Sequence, residues 1–220
     1  MNIPQLKICG LTSPEQALFC ANAGADAIGV VFFSKSPRNV CERTARKISD
    51  TIKGKAICIG VFVDETFDSI LQKVRNCRLG MVQLHGNESP ELVSKLKLHG
   101  VQTVKCLYLE NQPDINRAAD YPCDAFLLEC RKGKLPGGNA VSWDFKKADQ
   151  FIRCSDKPVM IAGGLTPDNI VAAVKTCRPD GIDLSSGVEK EKRLKDISKV
   201  KTIIENLKKQ CKYSGIRRIF

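Results

Sequence analysis

A single-domain (β/α)8 barrel of the TIM-barrel class is the fold the sequence predicts, and two observations carry that reading. Short apolar runs alternate with amphipathic stretches from end to end, in eight pairs. Three helix starts of one type, Ser13-Pro14, Ser89-Pro90 and Thr166-Pro167, stand 76 and 77 residues apart, so each interval holds three strand–helix units of about 25 residues. Eight such units nearly use up the 220 residues, whereas an open doubly wound sheet has about five or six strands and a glycine-rich turn after the first. Here that turn reads CGLTSPE, without the G-x-G-x-x-G pattern.

In order, the expected strands are QLKIC (5–9), AIGVVFF (27–33), AICIGVFV (56–63), GMVQLH (80–85), VQTVKCL (101–107), DAFLLE (124–129), PVMIAG (158–163) and GIDLSS (181–186). Several are apolar almost throughout, as in a parallel sheet covered on both faces. A helix-like segment follows each. The hydroxyl-proline pairs begin the helices after strands one, four and seven, where the hydroxyl caps and the missing proline N–H costs nothing. Residues 1–210 form the barrel, and 211–220, ending GIRRIF, read as a basic C-terminal tail that contacts a partner chain. The longest irregular stretch, 131–142, reads as a functional loop whose GGNA (137–140) covers the rim.

Composition narrows the function classes. A hydrophobic content of 43% suits a buried core, and no apolar run approaches the roughly 18 residues of a bilayer span. The N-terminus lacks the marks of a signal peptide, so a cytoplasmic location is expected. Eleven cysteines lie scattered without a CxxC pair, and only His85 and His99 join them, which points to reduced thiols rather than to disulfides or a metal site. The formal charge of +11 raises the question of nucleic acid. Its basic residues fall where solvated helix faces are expected, without interleaved aromatics. The reading is a basic surface with no specific nucleic acid and no membrane partner, on a monomer or homodimer.

Strand ends at the C-terminal face of a barrel carry the chemistry. Cys9 ends the first strand, and alternation turns Lys7 and Cys9 to the barrel interior while Leu6 and Ile8 turn outward. An ammonium beside a thiol favours the thiolate, which makes Cys9 a base or nucleophile; a core thiol is the plainer alternative. Glu129 ends strand six and suits proton donation, or a rim pairing with Lys132 or Lys134. Asp124, at the other end of that strand, belongs to the stability face. Gly163 and Gly164 after strand seven and Ser185, Ser186 and Gly187 after strand eight occupy the loops where barrels hold phosphate. Arg38 in SKSPRNV suits a carboxylate or second anion, and His85 at the end of strand four suits substrate contact.

The set KICGLTSPEQA, GADAIGVVFFSKSPR, GVFVDE, VQLHGNE, PVMIAGGLTPDNI and GIDLSSGVE resembles the phosphoribosylanthranilate isomerase family of tryptophan biosynthesis, over about residues 6 to 205. The resemblance implies a barrel that performs an Amadori rearrangement on a phosphosugar substrate, N-(5-phosphoribosyl)anthranilate, without metal or organic cofactor. It implies Cys9 as general base, the Glu129 position as general acid, Arg38 facing the anthranilate carboxylate, Asp183 near the sugar, and the two glycine-containing loops around the phosphate. Three departures stand out. The family's Leu-Leu-Asp is Leu127-Leu128-Glu129 here, its Gly-Gly-Thr-Gly loop reads GGNA and is followed by WDF (143–145), and its Gly-x-Lys-Asp is RLKD (193–196). They leave open a true isomerase with a compensated glutamate, a relative acting on another phosphoribosylamine, or a non-catalytic phosphosugar-binding role.

Overall fold

The apolar strands close on themselves. In the computed structural model, which describes residues 2–129 and 145–220, eight parallel strands form a closed barrel in chain order. They are β1 (Gln5–Cys9), β2 (Ala27–Phe32), β3 (Ile57–Phe62), β4 (Met81–Leu84), β5 (Thr103–Tyr108), β6 (Ala125–Glu129), β7 (Val159–Ala162) and β8 (Gly181–Leu184). The helices outside are α1 (Pro14–Ala23), α2 (Glu42–Thr51), α3 (Phe67–Cys77), α4 (Pro90–Leu98), α5 (Phe145–Cys154), α6 (Ile170–Cys177) and α7 (Ile197–Gln210). The expected loop at 131–142 with its GGNA, together with Lys132, Lys134, Trp143 and Asp144, lies outside the described residues.

Strand alternation sorts the core into two layers. Leu6, Ile8, Ile28, Val30, Leu107 and Leu128 turn outward and pack beneath the helices. Ala27, Ile59, Met81, Val104, Cys106, Leu127 and Met160 fill the interior. Three aspartates close the N-terminal face by one device. Asp26, Asp124 and Asp180 each precede a strand and accept the backbone N–H of the neighbouring strand, from Leu6, Thr103 and Val159, at 2.7–2.8 Å. Asp124 therefore does sit among the groups that hold the barrel's base.

Two expected helices differ from the sequence reading. Ser13 and Ser89 cap α1 and α4 through their hydroxyls, as their positions before proline require. Thr166 instead opens a turn: its carbonyl accepts from Asn169 and Ile170, and α6 begins only at Ile170. Between β5 and β6 there is no α-helix. Pro113 and Asp114 use up the segment, and a short 3-10 helix, Ile115–Asp120, stands in for it.

The C-terminal segment folds back on its own chain rather than projecting. Arg217 holds Asp180 and the Ser155 carbonyl, and Ile219 and Phe220 are buried against the bottom of the interior core. Gln5 clamps the end, its Oε1 accepting from Ile219 N at 2.6 Å. The misreading has a physical cause: two arginines give GIRRIF its charge, but the apolar pair Ile219 and Phe220 decides its position. Replacing Ile219 with Asp puts a charge against Gly181 and Met160, so Ile219→Asp should lower unfolding free energy by about 3 kcal/mol while turnover stays at the wild-type rate. Urea denaturation checks this, and an unchanged midpoint means that the segment is not a structural plug.

Candidate active site

The site starts from β1. Lys7 is fully buried inside the barrel, and its ammonium binds Asp183 Oδ2 at 2.8 Å. The register places these residues side by side on β1 and β8, so the ion pair spans the seam where the barrel closes. Burial alone would lower the Lys7 pKa, but Asp183 and then Cys9 outweigh it, and the net direction is upward. Cys9 lies one turn of the pleat above Lys7. Both lie over Gly29, where an added Cβ would sit 2.8 Å from Sγ and 3.1 Å from the Lys7 Cε. Arg38 and Lys195 also lie within electrostatic reach of Cys9, so three cations stand near the thiol.

Why β1 ends in Cys9-Gly10 follows from what passes over it. Gly10 has φ +78°, and a Cβ there would collide with the Arg38 side chain. The glycine both turns the chain and leaves room for the guanidinium. Arg38 is committed within the chain: its Nε and Nη2 donate to Glu189 at 2.7 and 2.6 Å. Glu189 belongs to a small hairpin of β9 (Glu189–Glu191) and β10 (Leu194–Lys195), and Lys195 Nζ donates to it at 2.9 Å. The RLKD departure is explained at this hairpin. Arg193 takes φ +76°, the left-handed turn that favours glycine, while Lys195 still reaches Glu189 and Asp196 still caps α7.

Opposite Cys9, Glu129 is buried at the end of β6, its Oε2 2.7 Å from His85 Nε2. The ring N–H does not align with that oxygen, and Oε2 has no hydrogen bond among the described residues. Gln83 Nε2 meets His85 Nδ1 at 2.9 Å, and Tyr108 donates its hydroxyl to the His85 carbonyl. Burial alone would lower the His85 pKa, but Cys106 and Glu129 overcome it and push it well up. The His85 ring therefore keeps its proton. The Glu129 carboxylate, at the end of β6, thus meets an imidazole just past the end of β4.

All ten residues singled out from the sequence, Cys9, Glu129, Arg38, His85, Asp183, Gly163, Gly164, Ser185, Ser186 and Gly187, line one cavity of about 320 Å³ at the C-terminal face. Ser185 donates its hydroxyl to the Cys9 carbonyl, which ties the last loop to β1. Asp183 Oδ1 is buried without a hydrogen-bond partner among the described residues, and it belongs to a residue that lines the cavity. Sequence reasoning missed Glu189, Lys195, Gln83 and Cys106. Glu189 stood in the quoted SSGVE motif and Lys195 in RLKD, but neither has a strand-end position that marks it.

Burial alone would raise the Glu189 carboxyl, but the Arg38 hydrogen bonds and Lys195 hold it below its ordinary range. A depressed carboxyl stabilises the fold above its unfolded value, about pH 4.3, and that contribution is lost as pH falls through the folded value. Glu189→Gln should thus cost about 2 kcal/mol at neutral pH, with the gap to wild type shrinking below about pH 4. Denaturant titrations across pH test it, and a gap that does not depend on pH contradicts the assignment.

The geometry can be set beside known proteins. The family model for N-(5'phosphoribosyl)anthranilate (PRA) isomerase matches residues 6–206. An N-(5'-phosphoribosyl)anthranilate isomerase of Desulfatibacillum aliphaticivorans is 41% identical over 206 residues, covering 94% of this chain and 93% of that one. The Thermotoga petrophila protein of that name is 37% identical over 207 residues, covering 93% and 98%. Among solved structures, phosphoribosyl anthranilate isomerase from Thermotoga maritima superposes with a TM-score of 0.85 at 34% identity, covering 94% of this chain and all of that one. A phosphoribosyl anthranilate isomerase in complex with reduced 1-(o-carboxyphenylamino)-1-deoxyribulose 5-phosphate superposes with a TM-score of 0.83 at 33% identity, with the same coverage. Barrel and sequence agree from β1 into α7, and the chain belongs to the N-(5'-phosphoribosyl)anthranilate isomerase family.

Proposed function

We propose that this cavity converts N-(5-phosphoribosyl)anthranilate to 1-(2-carboxyphenylamino)-1-deoxyribulose 5-phosphate by general acid–base catalysis, an Amadori rearrangement. The observation that carries the reading is the placement of a thiol among three cations and a proton-holding carboxylate–imidazole pair in one cavity. The first step needs an acid. The Glu129–His85 pair gives its proton to the ribose ring oxygen, the C1–O bond breaks, and the amine lone pair forms a C1=N bond. The second needs a base. Cys9 removes the C2 proton, and the electron pair moves into a C1=C2 bond and neutralises the iminium. C1 then takes a proton as the C2 hydroxyl becomes the carbonyl of the product.

The remaining residues bind. Asp183 Oδ1, buried and lacking a partner, suits a sugar hydroxyl. Gly163, Gly164, Ser185, Ser186 and Gly187 form the rim that receives the phosphate through backbone N–H groups. Arg38, already held flat by Glu189, presents its remaining edge to the anthranilate carboxylate. The Glu129–His85 contact favours a compensated glutamate over a site reshaped for another amine: the longer side chain has a seated partner.

Steady-state turnover of N-(5-phosphoribosyl)anthranilate tests the roles. Cys9→Ala and Glu129→Gln should each lower kcat by roughly 10² to 10⁴-fold with KM little changed, since both shapes still bind. Wild-type rates in a folded variant remove that residue from the mechanism.

A further inference from the structure

Cys106 takes no part in the proton transfers, yet its sulfur lies where the acid pair sits. One donor atom from each of His85, Cys106 and Glu129 falls within 4.8 Å of the others, and all three residues are buried. Cys106 is on β5, between the strands that end near His85 and at Glu129, and alternation turns it into the barrel interior. From sequence alone His85 had no partner at metal-ligand spacing. Barrel closure supplies two.

We propose that these three side chains form a binding site for a thiophilic divalent cation of the zinc class, and that its occupation blocks catalysis. Thiolate, imidazole and carboxylate together suit such an ion, whereas magnesium and calcium prefer oxygen alone. Tetrahedral zinc separates its ligand atoms by roughly 3.3 to 3.7 Å, given bond lengths of about 2.0 to 2.3 Å, so the wider gaps in the cluster must contract and the 2.7 Å Glu129–His85 contact must open. Two buried atoms that lack hydrogen bonds among the described residues fit this role. Glu129 Oε2 is one, an acceptor facing the His85 ring. Gln83 Oε1 is likewise unpartnered, next to an amide nitrogen facing His85 Nδ1. Turning that amide over brings Oε1 to Nδ1–H, the outer hydrogen bond that orients a metal-bound imidazole.

His85 and Glu129 line the cavity and Cys106 lies behind them, so the ion's fourth position opens toward substrate. Binding displaces to solvent whatever protons the three side chains hold, that of the His85 ring included, and a doubly charged ion takes their place. The ring oxygen then meets a metal-bound carboxylate with no proton to give. The block of turnover rests on the proposed acid role of Glu129; the binding does not.

Cobalt(II) is the spectroscopic probe, because thiolate coordination gives a near-ultraviolet charge-transfer band. One equivalent should produce that band in wild type and in Cys9→Ala, and not in Cys106→Ala or the nearly isosteric Cys106→Ser, with folding checked by thermal melting. Zinc in a buffered titration should inhibit wild-type turnover reversibly by chelator. Loss of an outer partner alone costs about 10 to 100-fold in metal affinity, so the Cys106 variants should need at least about tenfold more zinc to lose half of their own metal-free rate. A band that survives in both Cys106 variants, or vanishes in Cys9→Ala, overturns the site. A band that forms as expected while turnover is unaffected leaves the site standing and overturns both the block and the acid role of Glu129.

Discussion

A charged pair sealed inside the barrel, Lys7 with Asp183, is the interaction on which the rest depends. Taking both groups out of water is costly, and their attraction repays it only with close geometry, here 2.8 Å between neighbours across the β1–β8 seam. Replacing the pair with apolar residues of similar size would hold such a barrel at least as well, so stability does not explain it. Its position does. The ammonium sits beneath Cys9, and the second carboxylate oxygen remains unpartnered in a residue that lines the cavity. One interaction thus spans the barrel's seam, puts a charge beside the thiol and leaves a buried acceptor at the cavity.

The opposite wall is built on a different logic. Around Cys9 the fixed charges are positive, from Lys7, Arg38 and Lys195, and Glu189 neutralises two of them at the edge of the site. Around Glu129 the partner is His85, held through its other ring nitrogen by Gln83 and through its backbone by Tyr108. Positive charge stands beside the thiol on one wall, and a proton-keeping imidazole stands beside the carboxylate on the other. In the proposed mechanism two proton transfers in opposite directions share one cavity, because the environments differ and the strands hold them apart.

Much of this was legible in the sequence, for reasons that lie in particular residues. Alternation along QLKIC places Lys7 and Cys9 together, and a glutamate after AFLL can only be at the rim, so the strand-end residues came out of pattern alone. Ser13 and Ser89 read correctly as caps because the cap is a local device. What depended on closure did not read. Gln83, Cys106 and Glu129 come from three strands, and nothing in their spacing shows that the barrel carries them to one imidazole. Glu189 sits in a hairpin too short for any period. The tail was misjudged because charge counts weigh Arg217 and Arg218, whereas position follows from Ile219 and Phe220 meeting an open barrel end.

The central claim is that the buried ammonium sets the chemistry of Cys9. The most direct measurement is the rate at which Cys9 is alkylated by iodoacetamide at neutral pH, followed on its own peptide by mass spectrometry, in wild type and in the double variant Lys7→Met with Asp183→Asn. Changing both partners avoids stranding a buried charge. The folded double variant should alkylate at Cys9 roughly tenfold or more slowly than wild type, since the attacking sulfur loses the ammonium beneath it. Equal rates would contradict the account, because Cys9 would then owe nothing to the pair at the barrel's seam.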